Sequence, residues 1–344
     1  LPEKVWYDAD TKSPVITFVD APVPTQQEIS DRPHWLLQTG SVSGGMGAEF
    51  PPSPVAEEVQ FYRNVAAHAP FADVQSAPAP GDPPDACGGY VMANLPNDVV
   101  SLVHIPKVPY RCPPGPYERA SLIAYFLSVS KPKSKLLVFD ANPEIQAKKD
   151  LFTHAWASRY KHVIEYIPNA DIKSADAAKG VVNLDMHGAV KADIWNVIPP
   201  QRAGQIARQM GLANVAGKWC GVDFLSYESL VHKGVHVIGD AVAGSPGMPK
   251  SAHMANQEAK VCAAAVASLM EGQPPSHNPI IANTCYSFVS QTDVIHVAAV
   301  YRYDPANRQM VAVKGAGGLS AEATTAEGIY AMAWANNILS DTLG

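Results

Sequence analysis

The 344-residue chain has few charged residues (17 %), no run of lysine or arginine longer than two, and a net charge of −6, so it lacks the basic footprint of a nucleic-acid binder. No stretch approaches the roughly 18 apolar residues needed to cross a bilayer; the longest candidate, Val261 to Met270, is short and alanine-rich. Five cysteines (87, 112, 220, 262 and 285) stand at no metal-like spacing, with no C-x-x-C, no C-x-x-C-H for covalent haem, no His-x-His and no H-E-x-x-H. Any haem therefore belongs to another chain, and no metal site is expected. An odd count leaves at least one cysteine outside any set of intramolecular disulfides. The chain opens on Leu1 rather than methionine, which fits a processed export precursor as well as a truncated or incompletely known N-terminus.

What is present starts with 47 % hydrophobic residues, enough for one large core or two to three smaller ones. Residues 1 to 98 are irregular. They hold a strand candidate at Pro14 to Val19, a glycine cluster from Gly40 to Gly47, and a proline-rich stretch from Pro70 to Pro84. The run Gly40-Ser41-Val42-Ser43-Gly44 misses a nucleophile elbow, because G-x-S-x-G needs serine where Val42 stands, and it reads as a flexible turn.

From Val99 the pattern becomes regular. Val99 to Ile105 is a buried-strand run, residues 116 to 130 a helix, Lys135 to Phe139 a strand ending in Asp140, and residues 143 to 160 a second helix. Such a β-α-β-α series predicts a parallel sheet with right-handed crossovers. Further strands are expected at Val163 to Ile167, Ala192 to Val197 and Val235 to Ile238, and helices near Ala203 to Met210, Ser251 to Met270 and Glu322 to Ser340. A hairpin is expected from Val294 to Tyr303 and Gln309 to Val313, turned at Asp304 to Asn307.

Cys112 sits in Val-Pro-Tyr-Arg-Cys-Pro-Pro-Gly-Pro-Tyr-Glu, just ahead of a helix whose first turn Pro116 can occupy at no cost in hydrogen bonds. The dipole of that helix favours a thiolate at its mouth. The same prolines bear on cofactor choice. A strand, helix and strand closing on Asp140 suggests a nicotinamide site, yet the loop offers Pro106, Pro109, Pro113 and Pro114 and one glycine, Gly115, where G-x-G-x-x-G would be needed. Prolines donate no hydrogen bond to a pyrophosphate. A better cofactor candidate is Gly239-Asp240-Ala241 after the expected strand at 235 to 238, where an aspartate can accept from a ribityl or ribose hydroxyl; a plain tight turn with Asp240 as a helix cap is the alternative.

Tyr110 to Ser121, Ile198 to Gly204, His232 to Ala241, Met248 to Ser251, Asn283 to Ser287 and Trp334 to Gly344 together carry a resemblance to the flavoprotein subunit of flavocytochrome c sulfide dehydrogenase, a relative of sulfide:quinone oxidoreductase and glutathione reductase. The resemblance spans residues 99 to 344. It implies an α/β, glutathione-reductase-like fold of two Rossmann-type three-layer domains and a C-terminal α+β interface domain. On that scheme 1–98 is a divergent part of the FAD domain, 99–230 the second Rossmann-type domain without a nucleotide fingerprint, 231–275 the returning part of the FAD domain and 276–344 the interface domain.

The resemblance further implies that Cys112 and Cys285 form a redox disulfide over the flavin, with Glu118 beside it. Hydrosulfide would attack the bridge, a persulfide would form on one cysteine, and two electrons would pass to FAD and then singly to haem on a c-type cytochrome subunit, in the periplasm. Gly239, Asp240, Ala241, Pro249, Lys250 and Trp334 are the implied cofactor-binding residues, and Tyr301 matches a further family aromatic. From the residues alone, a stabilising disulfide or two buried thiols remain alternatives for the cysteines, a helix first-turn acid for Glu118, and core packing for Trp334 and Tyr301; Cys220 and Cys262 read as buried small apolar residues. Residues 1 to 98 depart from the family: they show neither the glycine fingerprint for the FAD pyrophosphate nor the cysteine motif for covalent flavin attachment, and the context of Cys87 does not supply one. A flavin-free structural paralogue keeping the cytochrome interface, and a related flavin disulfide oxidoreductase with another acceptor, are the competing readings.

Overall fold

The computed structural model describes residues 98–176 and 179–343, together with the backbone of residues 2–8 and 13–18. The glycine cluster at 40–47, the proline-rich stretch at 70–84 and Cys87 lie outside the described residues. Strands β1 (Pro2–Asp8) and β2 (Ser13–Phe18) form an antiparallel pair. No helix among the described residues is long and apolar enough to cross a membrane.

The regular part opens with β3 (Val100–Ile105), α1 (Gly115–Ser130), β4 (Lys135–Asp140), α2 (Lys149–Arg159) and β5 (Ile164–Pro168). A three-stranded antiparallel meander follows, β6 (Ile172–Asp176), β7 (Val181–Leu184) and β8 (Gly188–Lys191), and then β9 (Ile194–Val197). β3, β4, β5 and β9 make one parallel sheet in the order β5-β4-β3-β9. Side chains of alternate residues point to opposite faces. Val103, Ile105, Leu136 and Val138 pack with Leu127 of α1 and Phe152 of α2, whereas Leu102 and Phe139 pack with Val182 and Leu184 of the meander. Cover on both faces is what continuous apolar strands require.

Two expected elements differ. The second helix starts at Lys149 instead of residue 143, because side chains pin the intervening loop: Asn142 bonds Asp140 and Pro106, and the amide of Gln146 donates to the Tyr117 hydroxyl at 3.1 Å. The segment 235–238 is not a buried strand. Among the described residues it makes only an isolated bridge, Glu228 to His236, its Ile238 is 41 % exposed, and it runs into a 3-10 turn at Gly239–Ala241. Gly234 (φ 77°) and Gly239 (φ 71°) break the extended conformation on either side.

Short pieces follow β9: α3 (Gln205–Gln209), β10 (Val222–Asp223) and β11 (Glu228–Ser229). Helix α4 (Ala252–Met270) is capped by Ser251, whose side chain accepts from the amide of Met254 at 3.2 Å. The C-terminal unit is an antiparallel sheet of β12 (Ile280–Phe288), β13 (Val294–Asp304) and β14 (Gln309–Leu319) with α5 (Thr325–Leu343) packed against it. α1 is buried on nearly every side because it lies between the parallel sheet and β12. That placement brings the loop ahead of α1 to the strand that carries Cys285.

Where β13 and β14 slip in register, Gly317 has φ 140° and a Cβ there would lie 2.3 Å from the carbonyl oxygen of Ala298. Gly317→Ala is expected to cost about 3 kcal/mol, the scale of strain at a glycine-only backbone position. Urea denaturation measures it; a midpoint equal to wild type would show that the slip relaxes freely.

Candidate functional site

The strand order places the switch of chain direction between β3 and β9, where open α/β sheets bind their ligands. The loop that leaves β3 there carries Cys112. Its backbone is left-handed (φ 50°), its amide donates to the carbonyl of Lys250 at 2.5 Å, and its own carbonyl accepts from the amide of Gly115 at 2.7 Å. The sulfur lies over the start of α1: a Cβ on Gly115 would stand 3.1 Å from it. Arg111 ties the loop to two distant segments. Its amide and Nε donate to Gln201 Oε1 at 2.7 and 3.3 Å, and Nε stands 3.8 Å from Asp240 Oδ2.

Asp140, the acid a dinucleotide domain would turn to a ribose, is spoken for. It is fully buried and accepts from the hydroxyls of Tyr117 (2.8 Å) and Tyr166 (2.9 Å) and from the amide and side chain of Asn142 (2.9 and 2.7 Å). Both the proline loop and this saturated carboxylate oppose a nicotinamide site.

Cys285 lies on β12, which pairs with β13 in unbroken register opposite Val297. Asn283 and Cys285, with Val297, Ala299 and Tyr301 of β13, line a cavity of about 890 Å³ whose other walls are Pro109 to Pro114 in part, Trp219 and the segment 243–250. Cys285 carries a free thiol, with Asn283 Nδ2 at 3.4 Å from its sulfur. Pro113 and Pro114, next to Cys112, border the same cavity.

Beneath Cys285 lies Lys148, which sequence reasoning missed: in Lys148-Lys149 within the helix expected at 143 to 160 it looks like one more solvated charge. It is 5 % exposed, and its Nζ donates to the carbonyl of Cys285 (2.7 Å), the hydroxyl of Ser287 (2.9 Å) and the carbonyl of Ile295 (3.1 Å). Burial lowers its pKa to about 8, against the opposing pull of Glu118, Cys285 and Cys112. Glu118 accepts from the amide of Phe288 at 2.8 Å, and desolvation pushes its carboxyl up to about 7 in spite of that amide, Lys148 and Ser287. Lys148 thus bonds the backbone of Cys285, and its charge also reaches Glu118 and Cys112.

The cofactor candidates divide. Pro249 and Lys250 line the cavity, as does Tyr301, whose hydroxyl donates to the carbonyl of Gly247 at 2.9 Å. Lys250 Nζ stands 4.0 Å over the Trp219 ring and donates to the carbonyls of Asp240 (3.3 Å) and Val242; burial lowers its pKa to about 8. Asp240 is raised by burial, against Arg111 and Lys250, and its Oδ1 is buried with no hydrogen-bond partner among the described residues. An orphaned carboxylate oxygen fits a flavin's ribityl or a nucleotide's ribose hydroxyl, so this part of the chain suits FAD. The Gly239 amide is already taken by Glu258 Oε2 at 2.6 Å, and the Ala241 carbonyl accepts from Cys220 at 2.9 Å. Trp334 is not brought to the cavity. It packs on Tyr286 and His253, and Tyr286 alternates with Cys285 onto the opposite face of β12.

Residues 91–199 match the family model for the central region of the sulfide dehydrogenase (flavocytochrome c) flavoprotein chain, and residues 277–343 match that for the flavin-binding region of flavocytochrome c sulphide dehydrogenase. Together they cover about half of the chain and take in Cys112, Glu118, Lys148 and Cys285. Among solved structures, a chain of the Tetrahymena thermophila mitochondrial ATP synthase has a TM-score of 0.51 at 14 % identity, over 67 % of this chain and 60 % of that one. Reduced Bacillus anthracis CoADR-RHD has a TM-score of 0.39 at 11 % identity, over 68 % of this chain and 47 % of that one. The first likeness is one of fold alone.

A mixed α/β chain with a parallel sheet and a match to a flavin-binding region is of the flavoprotein class. Within that class, the chain belongs to the family of flavocytochrome c sulfide dehydrogenase flavoprotein chains.

Proposed function

We propose that the protein oxidises sulfide through a redox disulfide between Cys112 and Cys285, with FAD as the immediate electron acceptor and a c-type cytochrome subunit as the next, in the periplasm. The observation that carries this reading is that two cysteines 173 positions apart in sequence both feel the charge of the buried Lys148, at the edge of a cavity. An oxidising compartment is where such a bridge persists.

Hydrosulfide attacks one sulfur of the bridge; the new S–S bond leaves a persulfide on that cysteine, and the other sulfur departs as thiolate. A departing thiolate needs stabilisation, which the N-terminus of α1 and the Lys148 charge supply. Glu118, poised near 7, takes the persulfide proton. FAD, when bound, supplies a two-electron acceptor for the sulfurs. Asp240 through its open Oδ1, and Lys250 and Pro249 at the cavity wall, are the residues on this chain that would hold it.

An anaerobic absorption spectrum tests the reading. Flavin bands should bleach on stoichiometric sulfide and return on adding an oxidised c-type cytochrome. Flavin bands that sulfide leaves unchanged, or a protein purified without flavin, would sink it.

A further inference from the structure

Lys148 occupies an expensive position. It is buried, its backbone is left-handed (φ 54°), and it stands at the N-cap of α2, where the positive end of the helix dipole repels a cation. An ammonium has three donors, and all three are committed to β12 and β13: the carbonyls of Cys285 and Ile295 and the hydroxyl of Ser287. It has no donor left for a ligand in the cavity it borders. What it can still offer is its charge.

The groups that feel this charge come from four places: Cys285 on β12, Cys112 on the loop ahead of α1, Glu118 on α1 and Glu327 on α5. Ser287 joins two of them, because its hydroxyl accepts from Lys148 and lies in hydrogen-bond reach of the Glu118 carboxylate. While Glu118 is ionised, the pair is neutral as a whole. Once Glu118 is protonated, the Lys148 charge faces the sulfurs uncompensated.

We propose that Lys148 is the positioning charge of the cysteine pair, switched by Glu118 through Ser287, so that proton uptake by Glu118 and negative charge on sulfur favour each other. The inference rests on the sulfide-oxidising reading for its use: a persulfide Cys–S–SH gives its proton to the Glu118 carboxylate and becomes Cys–S–S⁻. The S–S bond is kept and no electron moves in that transfer.

The test uses the full chain, reduced with a phosphine and free of sulfide. Iodoacetamide labelling is followed from pH 5.5 to 9.5, peptide by peptide, with Cys220 and Cys262 as internal references. Lys148→Met should slow labelling of Cys112 and Cys285 severalfold near pH 7, since it removes the buried cation beside them. Glu118→Gln should do the opposite, speeding labelling severalfold between about pH 7 and 8, where Glu118 would otherwise be ionised and Lys148 still carries its charge, and Lys148→Arg should resemble wild type. A purely structural role would leave the profiles in place or slow both variants alike, and either result overturns the proposal. If Lys148→Met does not fold, unchanged labelling in Glu118→Gln is sufficient to overturn it. Opposite responses in a protein that sulfide fails to bleach would retain the charge switch and discard the sulfide reading; bleaching without opposite responses would do the reverse.

Discussion

Cys112→Ser should leave the visible spectrum of bound flavin intact and abolish its bleaching by sulfide, a loss of about a thousandfold or more in rate. Serine nearly matches cysteine in size, and the backbone of this residue is held at both ends, its amide to Lys250 and its carbonyl to Gly115. The loop therefore keeps its shape. Asp240 and Lys250 are untouched, so what would hold the cofactor stays in place. What disappears is chemistry that only sulfur supplies, because a hydroxyl cannot form the bridge that hydrosulfide attacks or leave as a stabilised anion near neutral pH. A reductive titration gives a second readout. The variant should take up about two electrons fewer than wild type, the capacity of one disulfide. Cys262→Ser serves as the control, since burial pushes that thiol up and away from reactivity. Bleaching at the wild-type rate in Cys112→Ser would remove this residue from the reaction.

The parts of this fold that were legible in the sequence are those where local pattern and burial agree. β3 and β4 are largely apolar runs because they lie at the centre of a sheet covered on both faces, and α1 announces itself through Pro116 and an unbroken helix-forming stretch. Cys112 stood out because its prolines are incompatible with the dinucleotide loop its flanking strands would suggest. The meander β6 to β8 was not legible: Ile172–Asp176 is exposed along most of its length and carries no apolar alternation. Nor was β12, whose central Asn283-Thr284-Cys285-Tyr286-Ser287 is polar on the face that meets Lys148 and the cavity. Lys148 could not be read at all. Its significance comes from contacts to residues more than 130 positions away, and a lysine pair looks the same whether solvated or buried. The segment 235–238 misled for a related reason, since a short apolar run between glycines does not reveal whether it pairs.

Asp140→Ala should destabilise the protein by about 4 kcal/mol, a large share of the 5–15 kcal/mol that holds a typical domain. The carboxylate accepts four hydrogen bonds in a fully buried place, and alanine leaves the hydroxyls of Tyr117 and Tyr166 and the side chain of Asn142 facing a void. Each buried donor without an acceptor costs about 1–3 kcal/mol, partly relieved if water enters. The damage should also travel to the reactive loop by two routes. Asn142 holds it directly, accepting from the amide of Val108 at 3.1 Å and donating to the carbonyl of Pro106 at 2.9 Å. Tyr117 holds it at one remove, its hydroxyl 3.3 Å from that of Tyr110, which in turn donates to the carbonyl of Pro113 at 3.4 Å. An acid in the place of a ribose ligand has thus become the bracket for a cysteine loop. Urea denaturation gives the stability loss, and the rate of Cys112 alkylation in the still-folded variant gives the loosening. A loss below about 1 kcal/mol with unchanged alkylation would mean that the network is redundant and that the loop is held from the Gln201 and Lys250 side alone.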